Sequence, residues 1–400
     1  MKILQICNKP PFPPQDGGAI GMHNVTQGLL DVGHLVKVFS VNTPKHFVDI
    51  NELPEKYRNQ TQIEFGFIDT DIKAFYAFSN LLFTNRSYNI SRFEDAKFEQ
   101  QLKEILSSQT FDIVQIESVF LNKYIDTIRA VSKAKIILRA PNVEYMIWER
   151  MAQEEQGFLK KQYLGILAKR LKKEELAAIN RFDALYTVTQ NDLTIFKSQG
   201  CSIPMEFIPT GVDVTKDIGL DKSPLEFPSL FHIGALDWMP NKEGLLWFLE
   251  NVWVKIIQQY PKLKFYIAGR GDASWFETNK YPNVVLLGEI DDAAQFIKSK
   301  AIMIVPLFSG SGMRVKIIEG MTFGKAIVST SIGIEGIIHQ HKHDLLIADA
   351  PNDFAEAIMM LINDKSYFES VCQSAQNTVE KHYGNQVLTE KLIKFLVSLI

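Results

Sequence analysis

The chain has 400 residues, 46% of them hydrophobic and 22% charged, which is the make-up of a globular protein long enough for two domains of ordinary size. Its formal net charge of -3 gives no reason to expect nucleic acid as the main partner. Cys7, Cys201 and Cys372 lie far apart without metal-ligand spacing, which argues against disulfides and against a zinc site. No signal peptide or membrane span stands out, so the expected location is the cytoplasm.

Residues 1–6 read as a first strand. Pro10 to Pro14 make a rigid loop, Asp16-Gly17-Gly18 open a helix running to about residue 32, Gly33 ends it, and residues 35–41 read as a second strand. This is a βαβ unit. A dinucleotide-binding dehydrogenase is the obvious rival. The glycines at 17, 18 and 21 do not make G-x-G-x-x-G, however, and Ser40-Val41-Asn42-Thr43 offers no acidic residue to hold an adenosine ribose. A plain tight turn is the competing reading of Gly17 and Gly18.

Residues 72–100 carry Phe75, Tyr76, Phe78, Phe83, Tyr88, Phe93 and Phe98. These could line an acceptor pocket, but helix packing in a core is the expected role of most of them. Residues 111–116 and 135–139 read as buried strands, the second leading into Pro141-Asn142-Val143-Glu144 at the end of a strand where α/β sites lie. Residues 148–181 read as one long charged helix. Its lysines suggest an anionic membrane surface, but Glu154, Glu155, Glu174 and Glu175 offset them, so the preferred reading is a solvated helix laced with ion pairs. A strand at 184–189 follows, then a helix to Gly200 capped by Gln190-Asn191-Asp192. The polar, proline-bearing run to Pro228 fits a linker.

The second half starts with a strand at 230–235. Asp237-Trp238-Met239-Pro240-Asn241 and an apolar-striped helix to Tyr260 come next, then strands at 265–269 and 284–287. His339, His341 and His343 alternate in a polar context that reads as an exposed loop. Residues 301–305 form an apolar run suited to a buried parallel strand, and Pro306 stops it. The small residues Ser309, Gly310, Ser311 and Gly312 follow, and a helix reads from Arg314 to about Gly324. A strand, a glycine-rich turn and a helix start make an anion site, because free N–H groups of the first turn point outward. Arg314 and Lys316 add positive charge there. Glu319 shares a helix face with Val315, Ile318 and Thr322, which puts a carboxylate on the packing side. The bland alternative is a Gly/Ser loop before an ordinary helix.

The segment from this loop through Ala326-Ile327-Val328-Ser329-Thr330-Ser331-Ile332-Gly333-Ile334-Glu335-Gly336 resembles the donor-nucleotide signature of the group-1 (family 4-like) retaining glycosyltransferases. The resemblance implies the GT-B fold, an α/β architecture of two Rossmann-like parallel-sheet domains facing a cleft, with a C-terminal helix crossing back to the first. It implies an acceptor-binding domain over 1–210, a donor-nucleotide domain over 211–378 and that helix over 379–400. Glu319 matches the second of two family glutamates eight positions apart, the one that holds the ribose, while the first falls on Ser311. Gly17 and Gly18 correspond to the loop that faces the donor phosphate. Lys242 and Arg270 are candidate diphosphate cations, and Ala235 stands where a basic residue is common. Pro141 replaces a histidine frequent in related transferases, leaving Asn142 and Glu144 as acceptor candidates. The last helix carries the apolar residues for docking on the first domain. No Asp-x-Asp motif occurs, so neither metal nor cofactor is expected beyond the nucleoside-diphosphate sugar itself. The implied reaction moves a sugar from that donor to a hydroxyl of a glycan, glycolipid or polysaccharide precursor. Arg314, Lys316 and the 310–312 amides would stabilise the leaving diphosphate. The implied partners are the donor and a glycan or lipid-linked acceptor, with peripheral contact at the inner face of a membrane left open. A nucleotide-sugar epimerase of the same fold and a non-catalytic sugar-nucleotide-binding relative remain alternatives.

Overall fold

The computed structural model describes residues 1–212, 224–277, 280–309 and 313–400. Two compact units divide them: one holds residues 1–211 with 388–400, the other residues 212–387. The first unit has seven strands, β1 (Lys2–Cys7), β2 (Leu35–Asn42), β3 (Glu64–Phe67), β4 (Ile113–Ile116), β5 (Lys135–Ala140), β6 (Ala184–Thr187) and β7 (Met205–Phe207). They lie in the order β3-β2-β1-β4-β5-β6-β7, every pairing parallel. The strands are apolar on both faces because helices cover both. Alternate residues go to opposite sides: Leu4, Ile6, Phe39 and Val41 enter one core, Ile3, Val36 and Val38 the other. Leu388, Leu392 and Leu396 of the last helix (Asn385–Val397), spaced one turn apart, belong to that second core, and Lys391 Nζ donates to Phe207 O at 2.6 Å.

The helix Gly17–Asp31 matches the expected boundaries, and Gly33 adopts φ +83 just past its end. Two expectations need correction. The long helix expected over 148–181 is two helices, Glu144–Glu154 and Phe158–Ile179, broken at residues 155–157. The helix after β6 is capped by Thr189, whose hydroxyl accepts from Asp192 N–H at 3.0 Å, one residue before the expected caps.

The second unit has six strands, β8 (Glu226–Ile233), β9 (Phe265–Ala268), β10 (Val284–Gly288), β11 (Lys300–Val305), β12 (Ala326–Ser329) and β13 (Leu346–Ile347). Their order is β10-β9-β8-β11-β12-β13, again all parallel. Here too residues alternate between two cores, Leu230, Ile302 and Ile304 on one side, Phe231, Met303 and Val305 on the other. In each unit the strand order reverses once, at β1/β4 and at β8/β11. That reversal opens a crevice beyond the strand ends, the place where open α/β sheets bind ligands.

Candidate functional site

At the β8/β11 reversal the chain leaves β8 through Gly234-Ala235 and starts the helix Met239–Phe248. It leaves β11 through Pro306 and starts the helix Val315–Thr322, with Arg314 as its N-cap residue. The two helix starts meet. Lys316 Nζ donates to Asn241 Oδ1 at 3.0 Å, and Asn241 Nδ2 donates to Ala235 O at 2.8 Å. A Cβ on Gly234 would stand 2.8 Å from Asn241 Nδ2, 3.2 Å from Lys316 Nζ and 3.4 Å from His232 Nε2, so three polar groups converge on bare backbone. Gly244 lets the first helix approach, since a Cβ there would lie 1.9 Å from Pro306 O.

His232 is fully buried and bridges the two strands at the reversal, with Nδ1 2.9 Å from Ile304 O. A carbonyl can only accept, so Nδ1 carries the proton and Nε2 presents a lone pair. Burial, and next the Lys316 charge, hold this imidazole neutral. Burial likewise pulls the Lys316 ammonium down to about 7, with the Arg314 charge adding to it. Arg314 is buried, its guanidinium carbon 5.5 Å from the centre of the Trp238 ring. Two cations thus stand at the start of one helix, where the backbone dipole already favours an anion. Glu319, half-buried, lies one turn after Lys316 on the same helix.

The segment beyond β12 closes round the end of β11. Ser329 Oγ donates to Val305 O at 2.9 Å, Thr330 Oγ1 donates to Leu307 O, and Gly333 N–H donates to Thr330 Oγ1 at 3.1 Å. A Cβ on Gly333 would fall 2.2 Å from Ser329 Oγ. Gly310, Ser311 and Gly312 lie outside the described residues. Lys242, half-buried, follows Asn241 in the first helix turn. Arg270 is exposed and its carbonyl accepts from Leu236 N–H at 2.6 Å, so its backbone braces the loop after β8.

In the first unit, Gly17 and Gly18 open their helix behind Asp16, whose carboxylate accepts from Ala19 N–H at 3.0 Å and from Lys9 Nζ at 2.6 Å. Burial alone would raise the Asp16 carboxyl, but the Lys9 bond, the Ala19 N–H bond and the nearby positive charge together outweigh it, leaving it low. A cavity of about 380 Å³ lined by Lys9, Phe12, Asp16, Lys45, His46 and Glu52 adjoins this turn. Asn142 and Glu144 follow β5 and bond each other, Nδ2 to Oε1 at 3.3 Å. Glu175, 1% exposed, accepts the N–H groups of Glu144 at 3.0 Å and Tyr145 at 2.9 Å, capping their helix from a neighbouring one. That corrects its reading as part of a solvated charged face. Burial raises Glu144 to about 7 and Glu175 to about 8, the latter also through the Glu144 charge.

Asn241, His232, Gly234 and Trp238 did not emerge as site residues from the sequence. The only cue was that Asn241 precedes Lys242 at a helix start. The aromatic stretch also differs from expectation. Tyr88, Phe93 and Phe98 are core, but Phe75, Tyr76, Phe78 and Phe83 are exposed. Among the described residues no three His, Cys, Asp or Glu side chains are grouped to hold a metal ion, and no helix is long and apolar enough to cross a membrane.

The family model described as "Glycosyl transferases group 1" matches residues 227–364. The chain is 23% identical over 407 aligned positions to an "Uncharacterized 44.6 kDa protein in cps region" of Klebsiella pneumoniae, covering 98% of this chain and 99% of that one. It is 26% identical over 133 positions to a "Phosphatidyl-myo-inositol mannosyltransferase" of Mycobacterium tuberculosis, covering 31% and 34% of the two chains. Among solved structures, that of Anabaena Alr3699/HepE in complex with UDP superposes with a TM-score of 0.67 at 13% identity, covering the whole of both chains.

Proposed function

Starting from residues 227–364 as a group 1 glycosyltransferase domain in a chain of the GT-B fold, we propose that the protein transfers a glycosyl unit from a nucleoside-diphosphate sugar to a hydroxyl acceptor, with retention at the anomeric carbon. The observation that carries this reading is the Lys316–Asn241–Gly234 cradle at the β8/β11 reversal. As the bond from the anomeric carbon to the diphosphate breaks, negative charge grows on the departing phosphate. A preorganised ammonium, a guanidinium and a helix start facing that charge stabilise it more in the transition state than in the ground state. Lys316 and Arg314 take that role with the 310–312 amides, Glu319 holds the ribose, and Lys242 and Arg270 flank the phosphates. Gly17 and Gly18 leave room for the donor, and Asn142 and Glu144 orient the acceptor. No catalytic metal is required in this scheme, because side-chain cations and helix N–H groups carry the charge.

The acceptor is a hydroxyl on a glycan or a lipid-linked precursor of a surface polysaccharide, processed at the cytoplasmic face of the membrane. Support comes from the names of the two relatives, one encoded in a cps region and one acting on phosphatidyl-myo-inositol. Calorimetry with UDP-, GDP- and ADP-sugars tests the donor half. One nucleotide series should bind and be hydrolysed or transferred, with the product's anomeric configuration read by NMR. Absence of binding across the whole panel overturns the reading, and an inverted product overturns retention.

A further inference from the structure

Parallel strands bring all their C-terminal ends to one edge of the first sheet. There the chain leaving β1 and the chain leaving β2 enclose the cavity of about 380 Å³ beside the Gly17-Gly18 turn. That volume lies at the small end of the range of about 300–1,000 Å³ for ligand pockets, the scale of a sugar or a short saccharide.

The walls are preformed. Beyond β2, the Asn42 side chain clamps the loop twice: Oδ1 accepts from Val48 N–H at 3.0 Å and Nδ2 donates to Val48 O at 2.8 Å. Beyond β1, Lys9 Nζ donates to both oxygens of Asp16 at 2.6 Å. Gly18 makes room for this pair, because a Cβ there would lie 3.1 Å from Lys9 Nζ and 3.3 Å from Asp16 Oδ1. Phe12 stacks on Tyr57 with ring centres 4.7 Å apart, and His23 stands edge-on to it at 5.3 Å, which fixes its orientation.

The lining charges balance. Lys9 is matched by Asp16, and Lys45 has Glu52 in the same wall to offset it. Burial, and after it the Lys9 charge, hold the His46 ring neutral. A neutral imidazole carries one N–H and one lone pair, so it offers a donor and an acceptor together, as the Lys9–Asp16 pair does. A phosphate calls for cations with charge to spare. Sugar hydroxyls, which both donate and accept, fit the mixed set. Phe12 and Phe47, the latter 64% exposed, add flat apolar faces against which the C–H face of a pyranose packs.

The place in the sheet adds a length. Neighbouring strands lie about 4.8 Å apart, and β5 is three strands from β2 in the order β2-β1-β4-β5, so the cavity is roughly 14 Å from the end of β5. That is more than one sugar ring away from Asn142 and Glu144. From these observations we infer that the cavity is a subsite for an uncharged sugar of the acceptor, remote from the hydroxyl that reacts. The acceptor is then a glycan of more than one residue. The inference rests on the reading of the chain as a transferase acting on a glycan, and narrows what that glycan is.

Saturation-transfer NMR on the full chain, with no donor present, tests it. The probes are methyl glycosides of glucose, galactose, mannose, rhamnose and N-acetylglucosamine, and the disaccharides maltose, cellobiose, lactose and chitobiose. At least one should give signals with the wild-type protein. Phe47→Leu keeps apolar bulk at an exposed position without a ring face, and should weaken that saccharide about fivefold while leaving the melt unchanged. Phe47→Trp should restore affinity, and its added indole emission should change as the saccharide is titrated. His46→Leu should also weaken binding. Silence across the panel, or a saccharide bound equally by the wild type and both leucine variants, overturns the inference. Displacement of the saccharide by inorganic pyrophosphate at constant ionic strength overturns it too, by giving the cavity to a phosphate. Because no nucleotide sugar is present, saccharide binding that persists while transfer fails counts against the transferase reading and not against the subsite.

Discussion

At the β1/β4 reversal of the first unit, the buried Glu117 carboxylate accepts from Gln5 Nε2 and Gln115 Nε2 at 2.6 Å and from Arg139 Nη1 at 3.1 Å. Arg139 also donates to Thr210 Oγ1 at 3.3 Å. At the β8/β11 reversal of the second unit, the corresponding place holds Lys316, whose hydrogen-bond partner is a neutral amide oxygen and whose neighbour is another cation. Apart from the extra edge strand β7 in the first, the two sheets have the same strand order, so the difference at the reversals is one of side chains. One crevice neutralises its own charge and becomes part of the structure. The other leaves an ammonium strained by burial, which an incoming diphosphate would relieve.

The strongest way to break this contrast is to remove the cation on each side. Arg139→Met leaves the Glu117 carboxylate buried opposite no charge, which costs about 3–5 kcal/mol and should lower the urea midpoint of the full chain sharply. A midpoint equal to wild type would show that the pair is not what holds that crevice together.

Lys316→Met should do the opposite when no ligand is present. Its folded-state value near 7 lies below the ordinary lysine value of 10.5, so the folded protein binds fewer protons than the unfolded chain between those pH values. Stability from this residue therefore rises with pH across that window, and the methionine variant gains most below pH 7. Its affinity for the nucleoside diphosphate should fall tenfold or more, about 1.5–3 kcal/mol. Because the bound anion needs the charged ammonium, wild-type binding at pH 8 should take up a proton, and affinity should weaken as pH climbs above 7. Calorimetry in buffers of different ionisation heat reads this directly, and binding that is independent of both pH and buffer would place the diphosphate elsewhere.

The smallest effect concerns the two carboxylates near β5. Glu144 and Glu175 have values raised above the unfolded 4.5, so their contribution is full below that pH and is lost as pH rises through 7 to 8. Glu144→Gln should flatten that decline by about 1 kcal/mol, a figure kept low because Glu144 is only partly buried. Melting curves between pH 5 and 8 that run parallel to wild type would show that Glu144 does not titrate in that window.

Much of this was legible because it is local. The apolar runs of β1 and β11 and the Asp16 and Gly33 helix boundaries each declare their structure within a dozen residues. What escaped depends on long-range packing. The partner of Lys316 lies 75 positions earlier, and periodicity does not reveal which residue of one helix start meets another. Glu175 looks like any charged helix residue until the N–H groups of Glu144 and Tyr145 are brought to it. Phe75, Phe78 and Phe83 have the composition of a core helix. Whether anything covers such a face is not encoded in the face itself.

The last helix has a consequence for how the protein is made. Leu388, Leu392 and Leu396 belong to the same core as Ile3, Val36 and Val38, so the first unit's hydrophobic interior is not closed until the helix Asn385–Val397 has been synthesised. On the ribosome, the whole of residues 212–387 must be translated first, a wait of roughly ten to thirty-five seconds at about 5–20 residues per second. Through that interval the nascent first unit exposes the groove meant for Leu388–Leu396, a target for holding chaperones, while the second unit has all its own residues as soon as 387 emerges and can fold ahead of the unit that precedes it in the chain.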